Sequence, residues 1–326
     1  MSDLEVEQQT LDPSDPAWHE RRRQGIGASE VAAVLGRHPW SSPWSVWARK
    51  VGLIPPDEPG DESEAQWFGR ALEAVTARRF REETGLEVGG EQMMLTRPGQ
   101  PWARATVDGL VFEHADEQLG VDDAIGVLEL KYTSEPPWET LPEHHALQVQ
   151  WQLYVSGLGH GWLAAFHLAF GRPAFRLYEV EADLDLQRRI VAEVERFWTE
   201  HVVAGEAPPI DGSDATTAAL KAVYREPVEG ASVDLDDDAD ATTALDDLRA
   251  LKRYAKDVAD DIAAAENTLR LALGDATEGR LGGFVAVSWR PQRTTRVDPV
   301  LARALIADAA DVTTTSRVLR LHKGKP

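Results

Sequence analysis

The sequence predicts an α/β fold: a mixed central sheet flanked by helices, followed by a mainly helical C-terminal extension. Three observations carry this. Gly126–Tyr132 (GVLELKY) alternates with a period of two, which sets Leu128 and Leu130 on one face of a strand and Glu129 and Lys131 on the other. Residues 162–170 are almost wholly apolar, as a strand covered on both faces must be. Leu186, Ile190, Val194 and Phe197 recur at helical spacing.

The elements follow in order. Residues 1–16 are polar and Pro-containing and read as a flexible lead-in. Ser29 suits the N-cap of a short helix that Gly36 ends. Ser42-Pro43 starts another, with Trp44 and Trp47 on its core face and Gly52 at its end. Ser63-x-x-Gln66 is a capping box for a helix whose apolar stripe runs through Phe68, Leu72, Val75 and Phe80. Glu73 borders that stripe. Short apolar runs between Gly90 and Phe112 read as strands, and residues 113–123 as an acidic loop. Residues 144–158 are helical, with Leu147, Trp151, Tyr154 and Leu158 in phase. His144 and His145 read as helix-start residues rather than ligands.

Pro208, Pro209 and Gly212 mark a boundary. The division expected is a lead-in (1–16), a core domain (17–212) and an extension (213–326). The extension holds an acidic linker, a long Ala-rich helix up to Gly274 with coiled-coil character, a strand at 282–290, a helix at 299–310 and a basic strand and tail.

Composition bounds the chemistry. With no Cys in 326 residues, disulfides and thiolate metal sites are excluded. No apolar run reaches the ~20 residues of a membrane span, and the expected compartment is the cytoplasm. A net charge of −21 opposes a generally basic nucleic-acid surface. The charge is uneven, however: Asp234–Asp240 is acidic, whereas Arg21, Arg22 and Arg23 cluster near the start.

Asp108 lies 21 positions before Glu129, on its own apolar run. Asp…Glu-x-Lys is what a metal-dependent phosphodiesterase requires: two carboxylates for a divalent cation, and a lysine that positions or deprotonates water and offsets phosphate charge. The same residues suit blander roles, since acid-x-Lys occurs on solvated strands and Asp-Gly makes hairpin turns. Ser29 behind a Gly-containing loop, with Arg22 nearby, suits either a phosphate site or a plain helix cap.

In order along the chain stand Arg22…Ile26-Gly27-x-Ser29, Gly69-x-x-x-Glu73, Asp108-Gly109, Glu129-x-Lys131 and Gln148-x-Gln150-x-x-x-Tyr154. This series resembles the YqaJ-like viral recombinases, the family of phage lambda exonuclease within the PD-(D/E)XK nuclease superfamily. The likeness spans about residues 15–205. It implies a PD-(D/E)XK nuclease core and a DNA exonuclease that degrades one strand of a duplex from its 5′ end. It implies Mg²⁺, with Mn²⁺ as a substitute, on Asp108, Glu129, the Leu130 carbonyl and Glu73. It implies catalytic duties for Lys131 and Gln150, supported by Gln148 and Tyr154, and a 5′-phosphate site at Arg22 and Ser29. Double-stranded DNA ends, a single-strand annealing protein and a homo-oligomeric ring trimer are the implied partners. Val107 departs from the proline usual before the first acid. The alternatives are a RecB-like or structure-selective endonuclease of the same superfamily, and a non-catalytic end-binding or phage assembly protein.

Overall fold

The computed structural model describes residues 6–10, 16–55, 63–114, 120–225, 229–297 and 311–321. The chain forms two compact units, residues 1–228 and 229–326.

The first unit begins with strand β1 (Glu7–Thr10) and helices α1 (Pro16–Arg23), α2 (Ala28–Val34), α3 (Pro43–Lys50) and α4 (Glu64–Thr84). Strands β2 (Glu87–Gly89), β3 (Met93–Thr96), β4 (Arg104–Val107), β5 (Gly109–Phe112) and β6 (Gly126–Thr133) follow. Then come α5 (Glu143–Ser156), β7 (His160–Ala169), β8 (Arg172–Glu181), α6 (Leu184–Phe197), a π-helical turn at 198–203, and α7 (Asp214–Val223). A five-stranded sheet runs β2-β5-β6-β7-β8, and a smaller sheet runs β1-β3-β4. Within the five-stranded sheet, among the described residues, β6 and β7 alone pair parallel, and α5 is their crossover. The remaining pairings are antiparallel, so the sheet is mixed as expected.

The period of two along β6 sorts its neighbours. Leu128 and Leu130 pack with Ala77 and Phe80 of α4 and with Trp162 and Ala164 of β7. Val127 joins the larger core, with Leu147 and Trp151 of α5 and Ile190 and Val194 of α6. Residues 162–165 are buried, as a strand with neighbours on both sides should be. Trp44 and Trp47 are core residues, 5% and 7% exposed.

Three expectations need correction. Residues 7–10 are not a loose lead-in: β1 occupies the free edge of β3, where unpaired backbone groups await a partner. Phe68 and Val75 of α4 are about half exposed, whereas Ala77 and Phe80 of the same helix are buried against the sheet. The first unit extends past 212, since α7 packs against the core through Ala219 and Thr216 donates to Ser42 Oγ at 2.7 Å.

The second unit contains α8 (Ala239–Leu273), whose N-cap Asp238 accepts from Ala241 N, and strands β9 (Glu278–Leu281), β10 (Phe284–Val297) and β11 (Asp311–Leu321). The strands form an antiparallel sheet in the order β11-β10-β9. The long helix and both expected strands are present. The helix expected at 299–310 lies outside the described residues.

Candidate active site

Asp108 is the single residue between β4, in the small sheet, and β5, in the large one. The chain changes sheets there, which aims the carboxylate at β6: Asp108 Oδ2 accepts from Leu130 N at 2.8 Å. Gly109 is required by packing, because a Cβ there would stand 2.6 Å from Val88 Cγ1. In β4 the same alternation buries Ala105 and Val107 and turns Arg104 and Thr106 towards the side that Asp108 faces.

Glu129 is 3% exposed and fully engaged. Its Oε1 accepts from Lys131 Nζ at 2.5 Å and Gln148 Nε2 at 2.7 Å, and its Oε2 from Gln152 Nε2 at 2.5 Å. Glu73 reaches in from α4. Gln92, at φ 55°, bridges the acids: its amide lies 3.2 Å from Glu73 Oε2 and 3.3 Å from Asp108 Oδ1.

Three carboxylates thus share one ammonium. Burial, and then the charge of Glu129, push Asp108 well above the ordinary aspartate value. Burial also raises Glu73, against the hydrogen bond from Gln92. Burial would pull Lys131 down, but the Glu129, Asp108 and Glu73 charges outweigh it and hold the ammonium above its ordinary value. Lys131 is therefore a cation near neutrality.

Arg22 donates to Ser29 Oγ at 3.1 Å, and its guanidinium lies 4.7 Å from the Trp18 ring centroid. Ser29 is not the N-cap of α2: Gly27 holds that position, and Glu30 caps it by accepting from Gly27 N at 2.8 Å. The same Glu30 oxygen is 2.7 Å from Lys50 Nζ, which also donates to the Arg22 carbonyl at 2.7 Å. This buried clamp fixes both ends of the segment presenting Arg22 and Ser29. One cleft is lined by Trp18, Arg22 and Ser29 together with Gln92, Arg104, Asp108, Glu129 and Gln148.

Two residues expected at the site serve elsewhere. Gln150 donates to Glu181 O at 2.6 Å and accepts from Asp183 N at 3.0 Å, tying α5 to the end of β8 and the start of α6. Tyr154 donates to Gln100 Oε1 and stacks under Arg97, 4.2 Å from its ring centroid. Gln92, Arg104 and Gln152 belong to the site and were not anticipated. The signals able to mark them are period two for Arg104 and the i, i+4 spacing from Gln148 for Gln152. Nothing local marks Gln92.

Among the described residues, no three His, Asp or Glu side chains stand preformed around an ion. The donor chemistry nevertheless suits a hard divalent cation. The donors are carboxylate oxygens, and their mutual repulsion is what a bound cation would relieve. Among the described residues, no helix is long and apolar enough to cross a membrane.

Residues 17–159 match the YqaJ-like viral recombinase domain. The YqaJ protein of Bacillus subtilis (strain 168) is 30% identical over 300 residues, spanning 90% of this chain and 89% of that one. The chain belongs to the YqaJ family. Partial structural likenesses extend to an alkaline exonuclease of Laribacter hongkongensis (20% identity, TM-score 0.43, 59% of this chain and 94% of that one). They also extend to a phage-related exonuclease of Haemophilus somnus 129PT (8% identity, TM-score 0.38, 58% and 99%).

Proposed function

We propose that this protein is a divalent-metal-dependent deoxyribonuclease, an exonuclease that digests one strand of linear double-stranded DNA from the 5′ end. The observation that carries the reading is the shared cleft: Asp108 and Glu129, the latter bonded to Lys131, line one cavity with the Arg22–Ser29 pair. Phosphodiester hydrolysis needs a cation-stabilised reaction centre, and 5′ polarity needs a grip on a terminal phosphate beside it.

Asp108, Glu129, Glu73 and the Leu130 carbonyl would hold Mg²⁺ or Mn²⁺. The ion would lower the pKa of water and neutralise phosphate charge. Lys131, bonded to Glu129, orients or deprotonates the attacking water and offsets charge on the phosphate. Gln148 and Gln152 fix the Glu129 carboxylate. Arg22 and Ser29 offer a guanidinium and a hydroxyl to the 5′-phosphate. Gln150 has a scaffolding role in this reading.

The product is a duplex with a single-stranded tail, the substrate of homologous recombination. A single-strand annealing protein would take up that tail in the cytoplasm. The working form would be a homo-oligomer, a ring trimer as in phage lambda exonuclease.

The test is digestion of a linear duplex labelled at either end, with Mg²⁺ or EDTA, beside Lys131→Ala. Release of 5′ label that needs Mg²⁺ and falls by about 10²-fold or more in the variant is expected. Undiminished cleavage by Lys131→Ala overturns the assignment, and internal cleavage of circular DNA favours the endonuclease alternative.

A further inference from the structure

Trp40 is 69% exposed, whereas Trp44, Trp47, Trp151 and Trp162 of the same unit are buried. It sits on the short loop between α2 and α3. That loop is pinned at both ends, by Arg37 N donating to Ala32 O at 2.7 Å and by the Ser42 cap of α3. An exposed indole on such a loop would normally sample several rotamers. Here it is braced. The His38 and His144 rings meet it edge-on, with centroids at 5.8 and 5.7 Å, and meet each other at 5.4 Å. Trp40 N also donates to His38 Nδ1 at 3.1 Å.

This ring triangle borders the candidate active site. His144 stands one turn before Gln148 on the same face of α5, and Gln148 binds Glu129. Burial and neighbouring charges, that of Lys131 among them, hold His38 and His144 below the ordinary imidazole range. Both rings are therefore neutral near pH 7, and the His38 nitrogen facing Trp40 N is an acceptor. A neutral, flat, braced aromatic surface is poorly suited to phosphate and well suited to the π-face of a base.

We infer that Trp40, braced by His38 and His144, is a stacking platform for an unpaired nucleobase of the strand entering the carboxylate cleft. A nucleotide must leave the duplex stack before its phosphate can enter a cleft lined on several sides by protein. A platform beside Lys131 would replace the stacking so lost, without regard to sequence, because every base has a π-face. The inference rests on the nuclease reading for the identity of the ligand, not for the geometry of the platform.

The test is fluorescence anisotropy of the full-length protein in EDTA, where no cutting occurs. The probes are a 5′-phosphorylated duplex whose first two 5′ nucleotides are unpaired and the same duplex with those positions abasic. The wild-type protein is expected to prefer the base-bearing probe by about fivefold or more. Trp40→Ala should erase that ratio, and Trp40→Phe, which keeps a ring, should restore most of it. A merely structural Trp40 would weaken both probes equally and leave the ratio intact. Two results overturn the platform: no preference in the wild-type protein, or a preference unchanged in Trp40→Ala. If the wild type shows no preference yet releases 5′ label with Mg²⁺, the platform alone fails. If it binds neither probe and cuts nothing, the nuclease reading fails with it.

Discussion

Glu30 and Glu129 each hold a lysine ammonium, Lys50 at 2.7 Å and Lys131 at 2.5 Å, in the same unit. Around Glu30 cations outnumber the one acid. Burial alone would raise its pKa, but Lys50 and Arg22 outweigh burial and bring it below the ordinary value. Lys50, 3% exposed, is pulled below its ordinary value by burial. Around Glu129 the charges do not balance. Asp108 and Glu73 crowd the same lysine, both rise, and Lys131 rises with them. A compensated buried pair is a clamp. A cluster with more acids than bases carries an electrostatic strain that a cation relieves. The excess of acid, not the presence of an ion pair, separates site from scaffold.

The largest effect should come from breaking the clamp. Lys50→Met leaves Glu30 buried without its partner and should cost about 3–5 kcal/mol of unfolding free energy, measured by urea titration. Glu30→Gln added to it should recover part of that loss. Full stability of the single variant would show that the pair is not a clamp. The pH dependence follows from the lowered pKa of Glu30: the stability it contributes is present above the unfolded value near 4.5 and is lost as pH falls through its folded value.

Asp108→Asn sharpens the other side of the comparison. A carboxyl whose folded pKa is raised contributes stability below its unfolded value and loses it as pH rises through the folded one. The variant should therefore melt like the wild-type protein near pH 3.8 and above it at pH 7, without divalent cations. Saturating Mg²⁺, at about 100 Kd, should stabilise the wild type by about 2.7 kcal/mol and the variant far less. Equal Mg²⁺ shifts in calorimetric scans would remove Asp108 from the cation site.

The smallest effect separates two glutamines two residues apart. Gln152→Leu frees a Glu129 oxygen and should lower kcat about tenfold. Gln150→Leu should leave kcat within about twofold, since its amide ties α5 to the β8–α6 connection. Steady-state assays on one labelled duplex compare them; the reverse order would put Gln150 back at the reaction centre.

Much was legible because it depends on period alone. Alternation along residues 126–132 puts Glu129 and Lys131 on one face whatever the sheet around them, and the apolar run at 162–170 allows little but a central strand. The order Arg22, Glu73, Asp108, Glu129, Lys131 was readable as a resemblance, and those residues do converge. The face of α5 turned to the site was not legible. Periodicity says that Gln148 and Gln152 share one side and Gln150 and Tyr154 another, but the sheet decides which side meets Glu129.

By itself, then, the sequence determined the elements, the side of the strand bearing the acid and base, and the residue types able to hold a cation. These are local properties, set by backbone geometry over a few residues. Tertiary structure decided the rest. It placed Asp108 where the chain crosses from one sheet to the other, brought Gln92 between Glu73 and Asp108, and sealed Glu30 against Lys50. It also set three carboxylates against one ammonium. Such charge imbalance is a sum over residues distant in sequence, and it exists only once folding has brought them within Coulombic reach and taken away the water that would screen them.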